Sequence, residues 1–397
     1  MNTRTIAKIE TACVAPRWGL LRLTTSDGIE GFGEFTLEGH LEATRAAVHA
    51  MAEWFTGKPA ADFQGLVRGL FDRSFYHGGA VYMSALAGIE IALWDVAGKA
   101  AGLPVYRLLG GRVRDRVKVY RWAGGNNNPA REAAAEAARV VAEGSRALKL
   151  NACPPLAAID TYGGIAAAVE RAAAVREAVG PDVELAFDFH GRANVPMARK
   201  LAKELEFVRP LFYEEPVRPE YNRWLKDVAE ITHVPIATGE RMTTVAEFQD
   251  VVAARAAHIL QPDVVHVGGI ANTAAVAALC EANGLAIAPH CPLSPIAFMA
   301  CLQVVVHSTA GWILEWSKGI HYNAHGALAD EVDPWLRFVE AGSRAMFDVD
   351  ADGHLAVPET PGLGVAIDWA SVSAADGSGL SWRDETMRLP DGTLANW

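Results

Sequence analysis

Asp188 and His190 sit two residues apart at the end of the run ELAFDFHGR, Glu184 to Arg192, so in a strand their side chains share a face. A carboxylate beside an imidazole at a strand end suits a metal ligand next to a proton donor or acceptor. The same pair also reads as a helix N-cap and a hydrogen-bonded loop histidine, and alone it does not choose between the two. Other apolar runs end in the same way. Lys149 and Asn151 end ALKLN, Glu214 lies in LFYEEP, Glu240 ends PIATGE, Asp263 ends HILQPD, His290 ends LAIAPH and Glu315 lies in WILEWS. A purely structural sheet has no need of ionisable groups at successive strand ends, so the set reads as a site.

Asp188, Glu214 and Glu240 come from three consecutive strands, and three carboxylates cannot share a dry site without a cation to offset their repulsion. An all-oxygen set without cysteine favours Mg²⁺ over zinc or copper. Asp263 and His290 end neighbouring strands, where an aspartate fixes the tautomer of an imidazole and raises its basicity, as a general base requires. His190 lies across from it beside a metal ligand, so one histidine is placed to remove a proton and the other to donate one. Glu315, on the last strand, is a candidate hydrogen-bond partner for a developing oxyanion.

The elements that position these groups follow from the chain's rhythm. Residues Ile6 to about Phe35 alternate as strands with a hairpin signal at Ser26-Asp27-Gly28, and the pattern turns helical from about Leu41 to Ala101, stopping at Gly102. On that helical stretch Trp94 and Asp95 read as packing and polar anchoring. After Asp115, eight short apolar runs alternate with alanine-rich helical stretches such as AREAAAEAARVVAEG, the signature of βαβ units and a parallel sheet. Chemistry in such a barrel sits at the C-terminal strand ends. No GxGxxG opens a helix after a first strand, so nothing supports a dinucleotide site.

Bulk properties exclude other classes. Among 397 residues, 51% are hydrophobic and the net charge is −11, which leaves no basic stripe for nucleic-acid phosphates. Five cysteines without CxxC spacing point to reduced thiols. The start MNTRTIAKIETACV has no signal-peptide core and no apolar run approaches membrane-spanning length, so a cytoplasmic protein without a membrane partner is expected.

Through these residues the chain resembles the enolase superfamily, mandelate racemase subgroup, and within it most closely the D-galactonate dehydratases. The resemblance covers nearly the whole length, from APRWGLLRLTTSDGIEGFGE through FYHGG, SALAGIEIALWDVAGK, LLGGRVRD, FDFHGR, LFYEEP, ATGERM, ILQPD, APHCPLSPIA and GIHYN to PGLGVAID and Trp397. It implies an α/β fold: a (β/α)7β TIM-like barrel, residues 116–330, with an α+β capping domain formed by residues 1–115 and by a C-terminal segment, 331–397, that packs back on it. It further implies that Asp188, Glu214 and Glu240 hold Mg²⁺ and that His290, oriented by Asp263, removes the C2 proton of an aldonate. His190 then protonates the leaving 3-hydroxyl, Glu315 helps stabilise the enediolate, and a 2-keto-3-deoxy acid results. The partner it implies is a small acid sugar, in a homo-oligomer.

A racemase needs a second base, which many relatives draw from a Lys-x-Lys; Lys149-Leu150-Asn151 lacks the second lysine, and the sixth strand ends in Asp263 instead of lysine. Gluconate, arabinonate and other acid sugars are the competing substrates, and a non-catalytic protein on this fold is the reading from another class. Lys149 and Asn151 are expected to touch substrate, and Trp18, in the loop Arg17-Trp18-Gly19, to cover it. Trp316 either shapes the distal pocket or points outward under strand alternation. Asn126-Asn127-Asn128 is expected near the mouth, and His77 in a solvated loop of the cap.

Overall fold

The computed structural model describes residues 4–323, 328 and 331–396; Asp330 and Trp397 lie outside them. The chain begins with an antiparallel sheet of β1 (Ile6–Val14), β2 (Trp18–Thr25) and β3 (Glu30–Glu34). The β2–β3 turn forms at Ser26-Asp27-Gly28, where Gly28 takes φ 85° and Asp27 accepts a hydrogen bond from Thr25. Three helices follow: α1 (Leu41–Phe55), α2 (Phe63–Arg73) and α3 (Ala80–Ala101), then the short α4 (Val105–Leu109). Gly33 lets β3 lie directly on α3, since a Cβ there would collide with the Gly88 carbonyl. Trp94 packs edge-on against Phe63, and Asp95 accepts from the backbone N–H groups of Phe32 and Leu363.

Against the expectation that no apolar run is long enough, α3 has the length and composition to cross a membrane. It is instead mostly buried inside the fold, and its Glu90 and Asp95 are tied down by hydrogen bonds.

Strand and helix then alternate: β4 (Arg116–Trp122), α5 (Ala130–Ala142), β5 (Ala147–Asn151), α6 (Gly163–Val179), β6 (Glu184–Asp188), α7 (Val195–Leu205), β7 (Tyr213–Glu214), α8 (Leu225–Ala229), β8 (Ile236–Thr238), α9 (Val245–Ala253), β9 (Ile259–Leu260), α10 (Ile270–Asn283), β10 (Ala286–Ile287), α11 (Pro295–His307) and β11 (Ile313–Trp316). The strands pair in parallel in the order β10-β9-β8-β7-β6-β5-β4-β11. Ile287 N–H donates to Ala310 O at 2.9 Å and Trp312 N–H to Ile287 O at 3.2 Å, which joins the two ends and closes a (β/α)7β barrel.

One side chain from each strand or its flank fills the barrel floor: Tyr120, Ala147, Ala186, Phe212, Ala237, Ile259, Ala288 and Ile313. Large and small residues share the layer, so it packs without a pore. Alternate residues, such as Leu148, Leu150, Leu185, Phe187 and Leu314, face the helices.

The cap is fastened to the barrel by buried carboxylates. Glu34 accepts from Ser294 and from the N–H of Ala297 at the start of α11, and Glu90 accepts from the N–H groups of Ile270 and Ala271 at the start of α10. Both sit where a helix dipole favours negative charge. The C-terminal part returns to the cap through Asp376 and Gly377, which bond the Cys13 backbone, but it also touches the barrel: β12 (His354–Ala356) pairs antiparallel with β4. The last helix is α12 (Trp369–Ala374). All five cysteines are free and buried.

Candidate active site

On seven of the eight strands a two-residue step from the floor, which keeps the side chain on the inner face, reaches a residue of the mouth; Glu240, three residues past Ala237, is the exception. From Tyr120 the step reaches Trp122, from Ala147 Lys149, from Ala186 Asp188, from Phe212 Glu214, from Ile259 Gln261, from Ala288 His290 and from Ile313 Glu315. Asp188, Glu214 and Glu240 are buried and each offers an oxygen within 4.8 Å of the others, a geometry that can hold a metal ion.

The electrostatics fit that use. Burial, followed by the charge of Asp188, pushes Glu214 up to about 8. Burial, Glu215, Asp188 and Glu214 push Glu240 well above the ordinary carboxylate range. Asp188 moves the other way, because His190 and Lys149 outweigh its desolvation. Such a cluster cannot carry its full negative charge without a cation. Glu240 Oε2 is also buried without a hydrogen-bond partner among the described residues, so the donor set has an oxygen to offer a cation. An all-carboxylate donor set fits a hard divalent cation.

Lys149 lies at the centre of the acids, its Nζ 2.6 Å from Glu214, 2.9 Å from Glu315 and 3.2 Å from Asp188. Burial lowers its proton affinity, but the surrounding carboxylates raise it well above the usual lysine range. Gln261 Nε2 donates to the other Glu214 oxygen at 2.7 Å. Glu215 turns away from the triad to form a paired contact with Arg241.

Asp263 both caps the turn after it, accepting from the N–H groups of Val265 and His266, and holds His290 Nδ1 at 2.9 Å. Asp263 thus serves the turn and the imidazole at once, while the next helix, α10, begins only at Ile270. His290 Nε2 is left facing the triad, 3.7 Å from Glu240. Burial disfavours its charged form, yet Glu315 and Asp263 raise its basicity. Asp188 and His190 come together by a turn, not by strand alternation: His190 takes φ 49° and its N–H donates to Asp188 Oδ1 at 2.9 Å, bringing Nε2 within 3.3 Å of Asp188 Oδ2. Burial holds the His190 imidazole down to about 3, opposed by Asp188 and reinforced by Arg192, Lys149 and Arg241.

Asn151 reaches the mouth, its Nδ2 on Gly125 O and Asn126 Oδ1, so the asparagine run adjoins it; its Oδ1 is buried without a partner among the described residues. Other expectations change. Trp316 does not enter the site: strand alternation turns it outward, where it packs on Phe298 and Trp335. Trp18 is not a loop residue over substrate but the buried first residue of β2, paired with Val14. Its neighbour Arg17 lies over the Tyr322 ring and lines a cavity of about 480 Å³ bounded by residues such as His40, Trp382 and Arg383. Glu315 is surrounded by donors and accepts from Trp122 Nε1, Lys149 and the Cys291 N–H. His77 is exposed in the cap, its ring tilted against Phe71 with centroids 4.3 Å apart.

Three contributors were not singled out from the sequence. Trp122 stacks parallel to His190, with centroids 5.7 Å apart, while bonding Glu315; Gln261 holds Glu214; His266 flanks Asp263. The two-residue step from the floor identifies the first two. His266 lies beyond the strand, and only the turn set by Asp263 brings it back.

Comparison with known proteins agrees with this geometry. Residues 132–371 match the family described as Enolase C-terminal domain-like, and residues 6–110 match the mandelate racemase / muconate lactonizing enzyme N-terminal domain. The chain is 43% identical to a D-galactonate dehydratase of Variovorax paradoxus and 44% identical to one of Verminephrobacter eiseniae, in both cases over 99% of this chain and 100% of the relative. A solved enolase from Agrobacterium radiobacter, with sodium and L-malate bound, is 30% identical with a TM-score of 0.86, over 98% of this chain and 99% of that one.

Proposed function

The chain belongs to the enolase superfamily, in its mandelate racemase / muconate lactonizing branch, and from that premise we propose that it is a Mg²⁺-dependent acid-sugar dehydratase, a hydro-lyase acting foremost on D-galactonate. The observation that carries the reading is the placement of two histidines beside one acidic triad: His290 Nε2 lies 3.7 Å from Glu240 and His190 Nε2 3.3 Å from Asp188.

Asp188, Glu214 and Glu240 would hold the Mg²⁺, which when bound supplies positive charge against the charge that builds as C2 is deprotonated. His290, its Nδ1 fixed by Asp263, presents Nε2 to the C2 proton. His190, held flat by Trp122, is the group placed to protonate the 3-hydroxyl as it leaves as water, and the resulting enol tautomerises to the 2-keto-3-deoxy acid. To do so it must carry a proton, so the negative charge of the bound acid sugar has to restore the proton affinity that burial removes. Lys149, kept protonated by its three carboxylates, faces the substrate oxygens with a fixed charge, and Glu315 acts through Lys149 and Trp122. Asn151 stands where a second lysine would be needed as the second base, which disfavours a racemase.

The reading divides the chain into a capping domain (1–115), a barrel (116–330) and a returning segment (331–397). It also takes the partner as a small acid sugar and the enzyme as a cytoplasmic homo-oligomer without nucleic-acid or membrane partners. Incubation with Mg²⁺ and a panel of C5 and C6 aldonates, with product trapped as its semicarbazone, tests it. Turnover of D-galactonate supports it fully, turnover of another aldonate moves only the substrate, and no keto acid from any of them refutes it.

A further inference from the structure

Asp263 is flanked by two imidazoles, and the mechanism uses only one. Its Oδ2 lies 2.9 Å from His290 Nδ1 and 3.8 Å from His266 Nε2. His266 is buried and reaches into the cap on its other side: Nδ1 is 3.0 Å from Ser84 Oγ on α3, and Nε2 is 3.5 Å from Glu38 Oε2. Glu38 in turn pairs with Arg17 at 3.2 Å, and the Arg17 guanidinium lies 3.9 Å above the Tyr322 ring. The groups alternate in charge from the cavity beside Arg17 to the imidazole that faces the triad: Arg17, Glu38, His266, Asp263, His290. They come from the β1–β2 turn, the segment after β3, the turn after β9 and the end of β10.

The energetics agree with the geometry. Burial opposes a charge on His266, but Asp263 and then Glu38 outweigh it and raise the group to about 9. Burial likewise opposes a charge on Glu38, and Arg17 with His266 more than offsets it, holding the carboxylate well below its usual range.

Resting on the dehydratase reading, we propose that His266 is a positioning residue for proton transfer at His290: it fixes the Asp263 carboxylate between two imidazoles and ties it to the cap through Glu38. The Asp263 Oδ1 atom is held by backbone N–H groups, so the setting of Oδ2 depends on what lies on each side of it. Removing His266 leaves one side open, and the His290 ring loses its fixed direction toward C2 while the substrate-binding groups stay in place. Ångström-scale misplacement of a catalytic group costs up to about 100-fold in rate.

The test compares wild type, His266→Asn, His266→Gln and Glu38→Gln by kcat and KM with D-galactonate and Mg²⁺, together with the isotope effect from C2-deuterated substrate. Asparagine can keep the Ser84 contact but not the reach to Asp263 and Glu38; glutamine restores the reach. His266→Asn is expected to lower kcat roughly 10–100-fold with KM changed less than about 3-fold and a larger isotope effect, and His266→Gln to recover most of the loss. Glu38→Gln should lower kcat roughly 3–10-fold, again with KM held. Wild-type kcat in folded His266→Asn, or kcat and KM drifting together with an unchanged isotope effect, overturns the proposal. Should His266→Asn fail to fold, Glu38→Gln decides, and wild-type kcat there overturns it. Wild-type protein that dehydrates no aldonate refutes the dehydratase reading itself, an outcome separate from these.

Discussion

In the proposed reaction His290 and His190 take separate steps, and their placement makes the division measurable. Only His290 is oriented by a carboxylate on the ring nitrogen away from the triad, while His190 is stacked on Trp122. His290→Asn is expected to stop both the exchange of the C2 proton with solvent and dehydration, lowering kcat by about 10³-fold or more. His190→Asn should lose dehydration and keep C2 exchange, followed by NMR in D₂O; loss of exchange there would remove His190 from the acid role. His266 predicts a pH effect on stability. Its folded-state pKa, about 9, exceeds the ordinary 6.5, so its contribution is complete below pH 6.5 and fades as pH rises through 9. Urea unfolding of wild type against His266→Asn should give a stability difference whose pH-dependent part is on the order of 3 kcal/mol, present at pH 6 and gone by pH 10. A pH-independent difference would contradict the buried imidazolium. At this scale the ionisable residues at the strand ends were legible in the sequence because each closes an apolar run, whereas His266, in the turn beyond its strand, was not. Trp122 and Gln261 were not, because a tryptophan and a glutamine at a strand end look like packing until the barrel floor supplies a register. Trp316 went the other way: one residue past Glu315, it takes the outward face.

At the level of elements, the site depends on helices whose starts are capped by residues from a different part of the chain. Glu34 at the end of β3 accepts from Ser294, the Ala297 N–H and Thr36, closing the N-terminus of α11, which follows the strand bearing His290. Glu34→Ala leaves those buried donors unsatisfied and is expected to cost about 2–4 kcal/mol in denaturant unfolding. A cost within about 0.5 kcal/mol, the range of ordinary surface substitutions, would show that the cap does not hold this helix. The strand-helix rhythm made the order of these elements readable in advance, since eight apolar runs separated by helical stretches admit few topologies. The cap-to-barrel links were not readable. Glu34, Glu90 and Asp95 lie on elements that reveal nothing of their partners, which are backbone N–H groups distant in sequence: Ala297, Ile270 and Leu363.

Across the whole molecule, cap and barrel share one large apolar core, and the acidic centre at the barrel mouth is a concentration of unfavourable charge. Mg²⁺ at about 100 times its dissociation constant is expected to stabilise the protein by roughly 3 kcal/mol, read as a rise of a few degrees in Tm. Glu240→Gln should abolish that rise while leaving the metal-free Tm equal or higher, because the carboxyl is already driven toward its neutral form. A preserved Mg²⁺ response in this variant would place the ion elsewhere. The fold at this scale was legible because the motifs extend over nearly the full chain, whereas the tail's double attachment, to β1 and through β12 to β4, depends on pairings that weak periodicity does not announce. The most direct test of the account is the reaction of wild-type protein with Mg²⁺ and D-galactonate in D₂O, followed by NMR. The account predicts a 2-keto-3-deoxy acid carrying solvent deuterium at C3, with the C2 proton released to solvent and one water lost for each molecule formed. Recovered aldonate inverted at C2, or no keto acid from any aldonate, would contradict it.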